Sequence, residues 1–240
     1  MVKLTSDTYP QFWKKDDVSI KIYCSIPNIA TGILFSAGNA LFLVDPGDGA
    51  LRDLNKDLTP EQMLSISDIF ITHGHHDHVG GVWSLLTYFK VMRRTLPINI
   101  FYPEGCVEIE SIYHAFSRVY SRSMPYTINL RKISDTKRIV TKKVGINPFP
   151  VVHKEKVLNK KALHQVPALG FKFTYNGVKV TYGGDTAYCE SLAKHTKGAD
   201  LAILEAGHDD DVPDEMHMTM TEAISLGETA EEFFLVHVPE

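Results

Sequence analysis

The sequence predicts an α/β fold: one domain over residues 1–240, an αββα sandwich in which two β-sheets pack face to face and helices cover their outer surfaces. Three observations lead there. Short apolar, β-branched runs bounded by Gly, Asn or Pro occur in both halves of the chain. Helical stretches with apolar residues three and four apart are interleaved with them. No Gly/Ser-rich or Pro-rich linker, internal repeat or low-complexity tract divides the chain.

In chain order, strands are expected at 18–26, 32–36, 40–44 and 69–72, followed by a helix at 80–93, a strand at 98–102 and a helix at 106–121. The second half opens with a strand at 151–152 and the pair 169–175 and 178–182. Their two-residue link, Asn176-Gly177, supplies the positive φ that a type I′ hairpin turn needs. A helix at 188–195, a strand at 201–204, a helix at 221–231 and a strand at 233–236 complete the series.

Composition bounds the function. With 240 residues, 44% of them hydrophobic, the core is large enough to need no disulfides. Cys24, Cys106 and Cys189 are too few and too scattered for a disulfide framework or a cysteine zinc site, which points to a reducing, cytoplasmic setting. Residues 1–7 carry no apolar segment of a secretion signal, and no window of about 18 apolar residues predicts a membrane span. A net charge of −4 argues against a protein that coats nucleic acid. That total conceals a polarity: residues 200–240 hold twelve carboxylates and no Lys or Arg, leaving 25 basic against 17 acidic residues in 1–199.

Four of the eleven histidines fall in His73-Gly74-His75-His76-Asp77-His78, directly after an apolar strand and before the Gly80-Gly81 that opens a helix. A loop at a strand end lets several side chains converge, and imidazole with carboxylate suits zinc, manganese or iron(II). Three further polar residues end apolar strands. They are His153 after Val151-Val152, Asp185 after Gly183-Gly184, and His237 after Val236.

These residues resemble the metallo-β-lactamase fold hydrolases, whose hallmark is His-X-His-X-Asp-His, and the resemblance extends from about Thr31 to His237, including a similar Asp-X-Gly turn at Asp45-Pro46-Gly47. It implies two divalent ions, zinc foremost, with manganese or iron(II) as alternatives. His73, His75 and His153 would hold one, Asp77, His78 and His237 the other, with Asp185 bridging; His76 fills the variable position. Asp185 stands where β-lactamases usually carry Cys, as in the phosphodiesterase and glyoxalase II branches. Glu205 at a strand end, and His217 in His217-Met218-Thr219 opening a helix, are similar to ribonuclease Z and its smaller phosphodiesterase relatives. In that reading Asp77 orients the attacking water, and His217, held by Glu205, protonates the leaving oxygen.

The expected activity is therefore hydrolysis of a phosphodiester, in a nucleic-acid end such as RNA or in a small diester, by a soluble enzyme without a membrane partner. The resembling family commonly forms homodimers. The alternatives are an ester, lactone or thioester hydrolase with the same metals, and a non-catalytic metal- or RNA-binding protein. Only 31 residues separate His153 from Asp185, too few for the tRNA-gripping arm of ribonuclease Z, and the family's Gly-Thr-Gly segment is absent. Residues 131–161 hold ten Lys or Arg, among them Lys154, Lys156, Lys160 and Lys161, against Asp135 and Glu155. This segment reads equally as a track for an anionic substrate or as a solvated surface. His164 could reach the substrate pocket or belong to a plain loop, and His208 belongs to an acidic loop.

Overall fold

The computed structural model describes residues 9–23, 31–135, 137–158, 162–208 and 215–238. Cys24, Lys160 and Lys161 lie outside these residues. Two compact units are present, Tyr9–Ile133 and a second from Ser134 onward.

The first unit is a seven-stranded sheet. Its strands are β1 (Gln11–Lys15), β2 (Val18–Ile22), β3 (Ile33–Ala37), β4 (Ala40–Val44), β5 (Asp68–Phe70), β6 (Ile98–Pro103) and β7 (Ile128–Ile133), adjacent in that order. The first four pair antiparallel and the last four parallel. Helices α1 (Ala50–Asp57), α2 (Pro60–Ser65), α3 (His76–Val79), α4 (Val82–Val91) and α5 (Val107–Tyr120) occupy the connections.

Alternation along the strands sorts the core. Leu34, Leu43, Ile69 and Ile100 pack with Met63 of α2, Leu85 and Phe89 of α4, and Ile109 and Phe116 of α5. The intervening positions Phe35, Phe42 and Phe70 are buried too. Phe35 lies 6.0 Å from Phe42 and Phe70 lies 4.8 Å from Phe101 between ring centroids. Burial on both faces is why these strands read as continuous apolar runs.

The second unit contains β8 (Ile139–Thr141), β9 (Val144–Pro150), β10 (Lys154–Lys156), β11 (Leu163–Gln165), β12 (Leu169–Tyr175), β13 (Val178–Tyr182), α6 (Glu190–Thr196), β14 (Leu201–Glu205), α7 (Met220–Gly227) and β15 (Glu232–Val236). Six strands form a sheet in the order β15-β14-β13-β12-β9-β8, and β10 and β11 form a separate hairpin. β13, β14 and β15 run parallel, and β12 pairs antiparallel with β13 across the expected turn, Asn176 and Gly177 at φ 48° and 90°.

The structure corrects several boundaries. The strand expected at 151–152 is β9, lying earlier, with Pro148 and Pro150 inside it. Both prolines pair with β12 on one side, while β8 pairs only through Val144–Ile146 on the other, so their missing donors interrupt no inner ladder. The helix expected to reach residue 231 stops at Gly227. A Cβ there would meet the Phe233 ring at 2.5 Å, and Thr229 caps the end by donating to the Leu226 carbonyl at 2.7 Å. β1, α1, α2, α3, β7, β8, β10 and β11 were not expected from the sequence.

Candidate metal and catalytic site

In each unit most of the chemistry-bearing residues follow the C-terminal ends of strands that take part in parallel pairs, the edge where α/β sheets present their binding residues, while His153 follows the antiparallel β9. In the first unit Asp45 follows β4 and the histidine loop follows β5. Asp45 is fully buried with φ 46° and gathers that loop: Thr72 donates its N–H at 2.7 Å and its hydroxyl at 2.5 Å to the carboxylate, and His78 Nδ1 donates at 2.9 Å. Thr72 Oγ1 in turn lies 3.1 Å from His73 Nδ1. Because the threonine proton goes to Asp45, its oxygen accepts from His73, so His73 and His78 both carry the proton on Nδ1 and the lone pair on Nε2, the state a metal ligand needs.

Glycine makes the close approach feasible. A Cβ on Gly47 would sit 1.8 Å from the Asp77 carbonyl oxygen, and one on Gly81 would sit 2.4 Å from that of Gly47. The Gly47 N–H reaches the Thr31 carbonyl at 2.9 Å, and the Thr31 N–H reaches that of Asp77 at 3.1 Å, so turn 45–47 and α3 are tied through Thr31. Ligand atoms of His73 and His75 lie within 4.8 Å of each other, as do those of Asp77 and His78. His76 is exposed, consistent with a non-ligand.

The second unit brings its own residues together. Asp185 follows β13 and is nearly buried, His153 follows β9 and is buried, and His237 follows β15 at φ 57°. Ligand atoms of His153 and Asp185 lie within 4.8 Å, and His237 Nε2 is 3.6 Å from Asp185 Oδ2. Thr186 ties two of these loops: its hydroxyl accepts the Val152 N–H at 3.0 Å and donates to the Ala187 carbonyl at 2.7 Å, and the Ala187 N–H reaches the Val152 carbonyl at 2.8 Å.

Glu205 and His217 lie in hydrogen-bond contact. The Glu205 carboxylate is wholly buried and accepts from the N–H groups of Thr186 (2.9 Å), Gly207 (2.6 Å) and Met218 (3.3 Å), as well as from His217 Nδ1 (3.1 Å). Burial pushes its pKa upward, against the hydrogen bond from His217. Burial alone would depress His217, but the bond and charge of Glu205 outweigh it and favour the imidazolium. The His217 ring lies parallel to that of His237, 14° between planes and 5.4 Å between centroids, and 5.5 Å from His153.

His164 sits on the exposed β10–β11 hairpin facing Glu155 at 3.7 Å, and the His208 N–H bonds the Met218 carbonyl. The basic segment is divided, Arg131 and Lys132 belonging to the first unit and the remainder to the second. Lys132 pairs with Glu110 at 2.8 Å and Lys154 with Glu215 at 2.6 Å. Thr72 and Thr186 were missed as orienting groups; each directly adjoins a ligand-type residue, the one signal available.

The family model described as beta-lactamase superfamily domain matches residues 41–238. Ribonuclease Z of Methanothermobacter thermautotrophicus is 26% identical, covering 83% of this chain and 77% of that one. Ribonuclease Z of Thermococcus sibiricus is 27% identical, covering 82% and 76%. Among solved structures, the metallo-β-lactamase fold protein YhfI of Bacillus subtilis superposes with a TM-score of 0.73 at 20% identity, covering 94% and 88%. The short form of human tRNase Z gives 0.69 at 22% identity, covering 88% and 86%. These likenesses establish the metallo-β-lactamase fold. With a family match spanning most of its length, the chain belongs to the β-lactamase superfamily, in its ribonuclease Z-like branch, and is a metal-dependent hydrolase.

Proposed function

We propose that the two units act as one dinuclear phosphodiesterase domain. His73, His75, His153 and Asp185 would hold one ion, and Asp77, His78, Asp185 and His237 the other. The support is that each unit brings its own ligand-type residues together, His73 with His75 and Asp77 with His78 in the first and His153 and His237 with Asp185 in the second, as donors suited to zinc, with manganese or iron(II) as substitutes. Such a pair of ions, when bound, polarises phosphoryl oxygens and makes a water acidic enough to attack. Asp77 orients that water. His217, its Nδ1–H committed to Glu205, offers Nε2 as the proton donor to the leaving oxygen.

The observation that carries the reading is the Glu205-held imidazole stacked on His237, a placed acid beside a ligand-type histidine. Ribonuclease Z relatives and the Glu205–His217 pair favour a phosphodiester, in a nucleic-acid end or a small molecule, over esters and thioesters.

The test uses leaving groups of different basicity on metal-loaded protein. A placed acid matters for an alkoxide and little for p-nitrophenolate. His217→Ala should cost about 10²–10⁴ in kcat on an alkyl phosphodiester, but less than about tenfold on bis(p-nitrophenyl) phosphate. Equal losses on both remove His217 from that role. Turnover of S-acyl glutathione or lactones without diester hydrolysis replaces the reading with a thioester or lactone hydrolase.

A further inference from the structure

Beyond the residues already placed, the second unit carries a groove of about 580 Å³ in the seam between α6 and α7. Its lining includes Ala193 and Leu226 as apolar floor, Tyr188 two residues before α6, Lys194 in its last turn and Lys197 just after it. Tyr188 is 51% exposed, unusual for an aromatic ring with a groove beside it. The only carboxylate in the lining among the described residues, Glu222, is engaged in the capping box of α7, accepting the Thr219 N–H at 3.0 Å. The cations thus set the charge of the open side.

Position in the fold ties this groove to the site. Tyr188 lies three residues beyond Asp185, and α7 begins three residues beyond His217. α6 thus begins just beyond the β13 end that bears Asp185 and α7 just beyond the loop that bears His217, and both lead away from those residues along the chain. A chain whose leaving oxygen sits at His217 would therefore continue along the seam. At 1.5 Å per residue the seven residues of α6 span roughly 10 Å, enough to separate a ring that takes a base from cations that take a phosphate further along.

We infer that the α6–α7 groove binds the leaving-side segment of a single-stranded nucleic acid, with a base stacked on Tyr188 and backbone phosphate at Lys194 and Lys197. This rests on the phosphodiesterase reading and narrows its substrate to polynucleotide. Aromatic rings bind bases without sequence preference, and lysines bind phosphate with a marked salt dependence.

The experiment compares bis(p-nitrophenyl) phosphate, too small to reach the groove, with a short fluorescent single-stranded oligoribonucleotide on the metal-loaded full chain. Replacing both lysines (Lys194→Ala with Lys197→Ala) should raise KM for the oligonucleotide about tenfold and lower the slope of log affinity against log salt by about 1.4, at about 0.7 per phosphate contact. Tyr188→Ala should weaken oligonucleotide binding by about fivefold or more, with Tyr188→Phe retaining it. Kinetics on the small diester stay unchanged in all these variants.

Unchanged oligonucleotide KM and salt slope in the variants overturn the inference. So does a wild-type protein that hydrolyses the small diester but neither cleaves nor binds the oligonucleotide. Failure on the small diester itself counts against the phosphodiesterase reading. In that event fluorescence anisotropy of the oligonucleotide on wild type and variants decides the groove separately.

Discussion

Asp45 illustrates how much one buried carboxylate can organise. It takes three hydrogen bonds, two from Thr72 and one from His78, and through Thr72 it also fixes His73. Asp45→Ala strands those donors in the core, so a loss of about 3 kcal/mol in urea unfolding is expected. Zinc affinity, read by competition with a chromophoric chelator, should fall about 10–100-fold because two ligand rings lose their orientation. Unaltered affinity would show that the loop holds its shape without the carboxylate. Thr186 plays the corresponding part in the other unit. Thr186→Val keeps the shape and removes the hydroxyl that bonds Val152 and Ala187. We expect about 1–2 kcal/mol of lost stability and, at saturating metal, a larger fall in kcat than that loss explains, since the residue stands between Asp185 and the His153 loop.

Among the elements, α7 has the clearest local cause. Thr219 accepts the Glu222 N–H at 3.2 Å while Glu222 accepts the Thr219 N–H, a capping box two residues after His217. Thr219→Ala should cost about 1 kcal/mol in urea unfolding. The same grammar exposes what was overlooked: Thr59-Pro60-Glu61-Gln62 opens α2 with a complete box and a proline at the first helical position, yet its six residues are too short for apolar periodicity to register. α1 was missed because Gly49 caps it at φ 77° without a side-chain bond and most of its residues are polar. Ala40–Val44 was legible as an uninterrupted apolar run because both of its faces are largely covered, and Val178–Tyr182 because its apolar residues alternate with Lys179 and Thr181 after a hairpin turn. β7 was not, since Arg131 and Lys132 give it the look of a surface loop.

For the whole molecule, His153, Asp185 and His237 were legible because each is a polar residue stopping an apolar run, and the others because four histidines and an aspartate crowd into residues 73–78, patterns that survive without knowing the fold. What the sequence could not supply was the supporting layer: Asp45, Thr72 and Thr186 act through contacts spanning up to 34 positions along the chain. In the proposed reading metal is held by residues that only folding brings together, so it stabilises the folded chain. Stripping it with a chelator should abolish hydrolysis, and restoring zinc should bring activity back. Free zinc at about 100 times its Kd should add about 2.7 kcal/mol of stability, visible as a rise in Tm. A Tm indifferent to zinc would argue against binding by folded residues.

The parallel trio β13, β14 and β15 has one further consequence. Asp185, Glu205 and His237 stand at the ends of neighbouring strands, so their spacing is inherited from the pitch of a hydrogen-bonded sheet, about 4.8 Å per strand. The turns feeding those strands, at Asn176-Gly177, Gly198 and Thr229, lie at the opposite edge. A ruler read at one end is indifferent to what is attached at the other. An affinity handle or a fluorescent module grafted between Asn176 and Gly177 would therefore travel with the enzyme while the ruler, and the chemistry set by it, keeps its scale.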